Sequence, residues 1–117
     1  MNAKPLRTPE YIEHMLDAIG RIEAYTAGFD WNTFEADPRT QDAVIRNLEI
    51  LGEAARNILR HDPGFVVQHS DVPWGKAYHM RNALSHGYAD VDLEIVWRTV
   101  RLSLPPLKIQ LAGLADG

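Results

Sequence analysis

Residues 81 to 88 read Arg-Asn-Ala-Leu-Ser-His-Gly-Tyr and bring together the side chains best suited to chemistry. Arg81 carries a planar guanidinium whose fork of N–H donors matches a phosphate group. Histidine titrates near neutral pH, so His86 can both accept and donate a proton. Tyr88 adds a hydroxyl and an aromatic face on which a nucleobase can stack. The stretch can therefore hold a phosphate and move a proton beside it.

The spacing of these residues limits how one helix can use them. Asn82 and His86 are four residues apart and share a helix face, so the amide could orient the imidazole. Arg81 and His86 are five apart, about 140° round a helix, and do not lie side by side. They meet if the helix frays near Gly87, if the long arginine wraps round, or if a second subunit completes the site. A helix end with a histidine favoured by the helix dipole is the ordinary alternative.

A second group of polar residues lies on a predicted long helix upstream. Glu49 and Glu53 are four residues apart and share a face. One interpretation is that Glu53 or Asn47 reaches the motif helix and supports it. The other is a solvated polar face, on which Arg46 and Arg56 each lie three residues from one of the acids. The sequence leaves both interpretations open.

The remaining histidines give no sign of a metal site. His14, His61 and His69 are scattered, and no His-x-x-x-His or His-Glu pair occurs. His79 lies two helical turns before His86, and we expect a structural or surface role for it. We therefore expect no bound metal.

Aromatic and cationic residues are read as anchors and surface groups. We expect the tryptophans to be core or interface anchors rather than base-stacking platforms: Trp31, Trp74 and Trp97. Four cations could form a basic surface near the motif, although solvated faces explain them equally well: Lys76, Arg81, Arg98 and Arg101.

The elements that must position these residues are helical. Helical periodicity runs through almost every long segment, and caps, prolines and glycines divide the chain. The predicted segments are, in order, a helix from Thr8 to about 24–27, a connector over 29–38 with a short turn near 31–35, a helix from Asp37-Pro38 to Arg60 or His61, a loop over 62–73, a helix from Trp74 to Ser85 or His86, a helix capped by Asp90 or Asp92, and a last helical piece over 107–114. Pro105 and Pro106 should break or kink the fourth helix, because each lacks an amide proton. The sequence thus predicts an all-α fold, an antiparallel four- to five-helix up-down bundle in one domain over residues 1–117.

Composition excludes several classes of protein. The 117 residues, 45% of them hydrophobic, can bury a single core. The absence of cysteine excludes disulfides and thiolate metal sites and fits a cytoplasmic location. No apolar run approaches the roughly 20 residues that span a bilayer. A net charge of -4 argues against binding nucleic acid through overall charge, so RNA contact would need a local basic patch or an oligomer.

The stretch 81–88 resembles a family motif. It matches the Arg-x-x-x-x-His-x-Tyr pattern, with Asn after the Arg, of the HepT-like toxins, which belong to the HEPN superfamily of small helical ribonucleases. Residues 47–54, Asn-Leu-Glu-Ile-Leu-Gly-Glu-Ala, resemble the second-helix signature of that family. Residues 92–97, Asp-Leu-Glu-Ile-Val-Trp, resemble its closing helix. The resemblance extends over residues 10–115, nearly the whole chain.

The resemblance implies a metal-independent endoribonuclease without a cofactor, a homodimer whose two protomers share the site. Arg81 and His86 would be the catalytic pair, and Asn82 would support them. RNA would be cleaved by attack of its own 2′-hydroxyl. The resemblance also implies a partner, a minimal nucleotidyltransferase acting as antitoxin, which adds AMP to the motif tyrosine, here Tyr88.

Two other functions fit the same residues. The chain could be a non-catalytic helical adaptor for a nucleotidyltransferase, holding nucleotide or AMP with the motif. It could also be a structural dimerisation bundle if neither RNA nor nucleotide engages Arg81. Cleavage of RNA without added metal separates the first function from both alternatives.

Overall fold

The computed structural model describes residues 7–84 and 91–116, residues 81–84 and 116 by their backbone only. All regular secondary structure in these residues is helical, which confirms the all-α prediction. The helices are α1 (Thr8–Thr26), α2 (Trp31–Glu35), α3 (Pro38–His61), α4 (Pro63–Gln68), α5 (Trp74–Leu84), α6 (Leu93–Arg98), a π-helical turn (Thr99–Ser103) and α7 (Leu104–Asp116).

Aspartate caps start four of these helices, because each carboxylate accepts amide hydrogens that the first turn leaves unpaired. The Asp30 carboxylate accepts from the amide and hydroxyl of Thr33, both at 2.8 Å. Asp37 accepts likewise from Thr40, at 3.1 and 2.8 Å. These bonds hold the pKa of Asp30 and the pKa of Asp37 below the usual value for the residue. Asp92 caps α6 by accepting from two backbone amides, as one of the two predicted alternatives requires.

The start of α1 differs from the prediction by one residue. Arg7 occupies the cap position and Thr8 is the first helical residue. The Thr8 hydroxyl instead donates to the Asp62 carboxylate at 2.5 Å. This bond joins the first residue of α1 to the residue after α3, so the two helices run antiparallel. Gly28 follows α1 at a φ of 78°, a left-handed conformation that suits glycine at a helix stop.

The predicted loop over 62–73 is wrong in its first half, where α4 (Pro63–Gln68) forms. Asp62 accepts from the amide of Phe65 at 3.4 Å, and Pro63 follows it, the same start signal that opens α3. The Phe65 ring meets the Trp74 ring edge-on, with centroids 6.0 Å apart. The aromatic contact holds the short helix over the start of α5, so Pro-Gly here opens a helix instead of breaking one.

The chain stays helical through Pro105 and Pro106. A π-helical turn precedes them, in which the amide of Leu104 donates to the carbonyl of Thr99, five residues back. Prolines cannot donate, and they tolerate the first turn of a helix, where amides are unpaired anyway. The predicted disruption therefore takes the form of a widened turn, after which α7 begins at Leu104.

One apolar core joins four long helical segments, α1, α3, α5 and the α6–α7 run, as the bundle prediction requires. In the described part of the chain, α3 packs along α1 and α5, α7 packs on α1, and α2 contacts α3 and α6. The largest fully buried side chains come from these segments and from α2: Phe34, Met15, Ile19, Ile22, Leu48, Leu51, Ile58, Leu104, Leu107, Leu111, Val44 and Val96. Truncating one such leucine to alanine costs about 2–5 kcal/mol of stability.

Candidate active site

Helix α5 carries the first part of the motif, and its register shows where each residue lies. Trp74 and Ala77 are 2% and 0% exposed, on the side of α5 that packs against α3. Arg81 follows Ala77 by four residues and Trp74 by seven, so its backbone lies on the same stripe. Asn82 lies about 100° round the helix from Arg81. The helix thus places the Arg81 position on the α3-facing side and the Asn82 position beside it.

The second half of the motif lies outside the described residues. This applies to His86 and Tyr88, to the predicted helix end at Ser85 or His86, and to Asp90 as the alternative cap. The side chains of Arg81 and Asn82 are not described either. The catalytic roles of Arg81 and His86, the supporting role of Asn82 and the modification of Tyr88 stay predictions.

The two glutamates of α3 differ in their partners. Glu49 and Glu53 are half-buried and border a groove of about 380 Å³ between α1 and α3. Nη1 of Arg56 donates to Glu53 Oε1 at 3.1 Å, so this arginine pairs with the acid three residues before it. Arg46 and Glu49 form no ion pair within the described residues. The support that Glu53 was predicted to give the motif helix stays a prediction.

Sequence reasoning missed the far side of this groove. Tyr11 and His14 of α1 line it opposite the glutamates. Their rings meet edge-on, with centroids 6.4 Å apart and planes at 89°. The sequence does indicate that Tyr11 and His14 share a helix face, because they are three residues apart on a predicted helix. What the sequence could not supply was the pairing of α1 with α3 that brings this face to the glutamates.

Asn47 is a polar side chain in a core position. It is 5% exposed, and its Nδ2 donates to the Ala43 carbonyl of its own helix at 2.9 Å. Its Oδ1 is buried and accepts from no group of the described residues. A buried acceptor without a partner costs about 1–3 kcal/mol. Stability therefore does not explain Asn47, which keeps it a candidate for a role in function.

Three cations lie on α5, on α6 and in the π-helical turn. Lys76 and Arg98 line a cavity of about 550 Å³ between α5 and the α6–α7 segment. Arg98 and Arg101 line an adjoining cleft of about 430 Å³. None of these three cations forms an ion pair in the part of the chain that the structure describes. A local basic surface thus exists in spite of the net charge of -4.

The tryptophans divide into two kinds. Trp74 is a core residue, as predicted, and its indole Nε1 donates to the His69 carbonyl at 3.0 Å. Trp31 and Trp97 are half-buried and line the cleft that holds Arg98 and Arg101. His79 is exposed on α5, and its ring stacks on that of Tyr78 with centroids 5.4 Å apart. The exposed position of His79 fits the structural or surface role expected for it.

The described residues contain no group of three or more histidine, aspartate or glutamate side chains placed to hold a metal ion. None of the helices in the described ranges is both long and apolar enough to cross a membrane.

Comparison with known proteins decides the family. The sequence model of the HepT-like ribonucleases matches residues 15–113, which include the whole motif and all of α3 and α5. The chain belongs to the HepT-like ribonuclease family. Membership identifies it as an endoribonuclease and confirms the resemblance drawn from the motifs. No solved structure matches the chain.

Individual relatives cover most of the HepT-like chain. A protein of Thermococcus cleftensis named "Probable ribonuclease HepT" is 40% identical over 99 residues, 85% of this chain and 87% of its own. A protein of Caldanaerobacter subterraneus named "Putative RNase TTE0752" is 35% identical over 107 residues, 91% of this chain and 93% of its own. A Methanocaldococcus jannaschii protein named "Gamma-glutamylcyclotransferase and putative RNase MJ0434" is 36% identical over 106 residues, 91% of this chain and 46% of its own.

Proposed function

We propose that the chain is a metal-independent endoribonuclease toxin that cleaves RNA with Arg81 and His86 in a site shared by two protomers. The observation that carries the proposal is the family match over residues 15–113, which includes the motif with its arginine, asparagine, histidine and tyrosine at the family spacing.

The chemistry needs no metal because RNA contains its own nucleophile. The ribose 2′-hydroxyl loses its proton and attacks the adjacent phosphorus, and the bond from phosphorus to the 5′ oxygen breaks. The products are a 2′,3′-cyclic phosphate and a 5′-hydroxyl that takes up a proton. His86 accepts or donates these protons. Arg81 stabilises the negative charge that builds on the phosphoryl oxygens.

Two properties of the sequence favour a shared site. The five-residue step from Arg81 to His86 places the two on different faces of a regular helix. One acidic chain is also poorly suited to gripping RNA, whereas two copies bring two motifs and two basic surfaces together. Two histidines from two protomers can then divide the acid and base roles.

Residues of α3 are proposed to hold the motif helix in position. The Arg81 backbone lies on the α3-facing stripe of α5, and Glu53 and Asn47 are both on α3. A carboxylate can orient a guanidinium through charge-assisted hydrogen bonds. The buried Oδ1 of Asn47 can accept a further donor at no added desolvation cost. Both are positioning residues in this proposal.

The proposed partner is a minimal nucleotidyltransferase that acts as antitoxin in the cytoplasm. Its reaction joins the Tyr88 oxygen to the α-phosphorus of ATP, while diphosphate leaves and the phenol loses its proton. The attached AMP places an anion and a bulky base seven residues from Arg81, where it competes with RNA for the guanidinium. A single modification would then silence the shared site.

The test of catalysis is cleavage of labelled RNA in EDTA. Wild-type protein should cleave and leave 2′,3′-cyclic phosphate ends. His86→Ala and Arg81→Ala should each lose about 10²–10⁴-fold in rate, the range for a lost acid–base group. His79→Ala is the matched control, because His79 is an exposed histidine of α5, and it should cleave like wild type. Full activity in folded His86→Ala would contradict the mechanism.

The test of modification is intact-mass spectrometry after incubation with ATP and the nucleotidyltransferase. Wild-type protein should gain mass in steps of one AMP and lose RNase activity. Tyr88→Phe should gain none, whereas Tyr78→Phe should behave like wild type. AMP on the chain without any RNase activity before modification would favour the adaptor function instead.

A further inference from the structure

The cleft beside α6 is built from a stack of side chains that reaches from the core to the surface. The rings of Phe34 and Trp97 stack with centroids 5.0 Å apart and planes at 28°. The guanidinium carbon of Arg101 lies 5.3 Å from the centre of the Trp97 ring, in cation–π contact. Phe34 is fully buried and Arg101 is exposed. Trp97 therefore supports an exposed guanidinium above the core.

We propose that this cleft is a nucleotide subsite, which binds an unpaired base and its phosphate in the RNA beside the cleaved bond. The inference rests on the proposed function, because it names a surface for the same substrate. The cleft has a volume of about 430 Å³, within the range of small-molecule sites. Its lining residues are Trp31, Glu94, Trp97, Arg98, Arg101 and Leu102.

The lining residues suit the two parts of a nucleotide. Arginine guanidinium planes stack on unpaired bases, so the face of Arg101 is a platform for a base. Arg98 is exposed and makes no ion pair in the described part of the chain, so its N–H donors are available to a phosphate. Glu94 would repel a phosphate but can accept hydrogen bonds from the amino group of a base. A base lying toward Glu94 and a phosphate toward Arg98 satisfies all three side chains.

The neighbouring cavity extends the proposed RNA-binding surface beyond the cleft. Arg98 and Leu102 line both the cleft and the cavity of about 550 Å³ between α5 and α7. Lys76 of α5 lies on the far side of that cavity. A chain of phosphates passing from Arg101 over Arg98 would therefore approach Lys76, on the helix that carries Arg81. Charge complementarity favours RNA over a second acidic copy of the protein as the occupant.

Binding of a single-stranded oligonucleotide tests the proposal. The probe is a fluorescein-labelled RNA whose 2′-hydroxyls are methylated, so that it binds without being cleaved, and anisotropy gives Kd. Arg101→Ala should weaken binding about tenfold, within the range for one stacked base. Arg101→Lys keeps the charge but loses the planar platform, and it should stay several-fold weaker than wild type. Arg98→Ala should reduce the salt dependence of log Kd by about 0.7, the value for one phosphate contact on single strands.

The matched control is Arg60→Ala. Arg60 is an exposed arginine at the C-terminal end of α3, and α2 lies at the opposite end of that helix. The Arg60→Ala protein should therefore bind RNA like wild type. Circular dichroism and thermal melting establish that each variant folds. Binding should also change the fluorescence of Trp31 and Trp97, and Arg101→Ala should reduce that change.

Three outcomes would overturn the subsite. The first is that both Arg101→Ala and Arg98→Ala bind RNA as tightly as Arg60→Ala while the wild-type protein cleaves RNA. This result would contradict the subsite and leave the ribonuclease function intact. A changed oligomer mass in Arg101→Ala with unchanged RNA affinity would make this face a contact between subunits. Wild-type protein that neither binds nor cleaves RNA would contradict the proposed function itself.

Discussion

Two concave surfaces of the molecule differ in charge although both combine aromatic and polar side chains. The groove between α1 and α3 carries the carboxylates of Glu49 and Glu53, with Arg46 beside them and Arg56 in an ion pair with Glu53. The cleft beside α6 carries Arg98 and Arg101 with only Glu94 against them. The second surface therefore attracts a polyanion more strongly than the first. The two surfaces are therefore expected to serve different purposes in one reaction.

The difference also explains how an acidic chain can act on RNA. The net charge of -4 is a sum over the whole chain, whereas binding depends on the charges within about 8–10 Å of each phosphate. Arg98, Arg101 and Lys76 lie on two adjoining surfaces with no carboxylate paired to them in the described residues. The separation of charge between faces, rather than its total, sets where RNA can dock.

The largest effect is expected from reversing charge in the cleft. The double variant Arg98→Glu, Arg101→Glu should weaken RNA binding at least about 100-fold, because two attractive contacts become repulsive. The matched change in the other groove, Arg46→Glu, should alter Kd less than threefold. Anisotropy at two salt concentrations measures both. Equal losses in the two variants would show that the surfaces do not differ in the way proposed.

The next effect concerns the glutamates of the α1–α3 groove. Glu53→Gln should lower kcat about tenfold with little change in KM, the size of one lost hydrogen bond to a charged group. The reason is that a positioning carboxylate acts on the motif helix and not on RNA binding. Glu49→Gln, four residues away on the same face, should change kcat less than twofold. A rise in KM without a fall in kcat would instead make Glu53 part of the RNA-binding surface.

A smaller effect distinguishes Asn47 from Asn57, which make the same bond to their own helix. Each Nδ2 donates to the carbonyl four residues back at 2.9 Å, but only Asn47 is buried. Asn47→Leu should raise the free energy of unfolding by about 1 kcal/mol, because it removes an unsatisfied buried oxygen, and should reduce RNase activity. Asn57→Leu should do neither.

Urea unfolding and RNA cleavage measured on both variants test this. An Asn47→Leu protein of unchanged activity would assign the asparagine no part in catalysis. A less stable Asn47→Leu protein would show that the amide is satisfied in solution.

The smallest expected effect is a loss of thermal stability at low pH. The pKa of Asp30 in the folded chain lies below 3.8, so its cap of α2 stabilises the fold above that pH and is lost as the pH falls through the folded pKa. Because α2 carries Trp31, loss of this cap in acid should loosen the Trp31 side of the cleft. Asp30→Ala should lower the melting temperature slightly at neutral pH and weaken its dependence on pH below about 4. Melting curves with tryptophan fluorescence test this, and an unchanged pH dependence would contradict it.

The sequence predicted the long helices because their signals are local. Apolar stripes and the caps Asp37 and Asp92 determine helices within a few residues of themselves. The error at Asp62 had a physical cause, since Pro63-Gly64 also fits a turn, and the ring contact of Phe65 with Trp74 decides in favour of a helix. That contact forms only when the chain has folded back on itself.

The sequence could predict which residues form the candidate site, but not how they are arranged in space. Residues 81–88 identified the motif, and the register of α5 places Arg81 opposite α3. The cleft joins Trp31 to residues 94–102, more than 60 positions later, so no local pattern could indicate it. The sequence predicts that Trp97 is a core or interface anchor; its ring does stack on the buried Phe34, and its contact with Arg101 gives it a second use.

The π-helical turn at Thr99–Ser103 divides the closing helical run into two parts whose faces point in different directions. Because the turn holds an extra residue, it offsets the faces of α6 and α7 by up to about 100°, the angle of one residue. Substitutions can then accumulate on the outward side around Arg101 without disturbing Leu104, Leu107 and Leu111 in the core. In evolution, the surface that is proposed to face RNA could therefore change and bind new targets while the core packing stays the same.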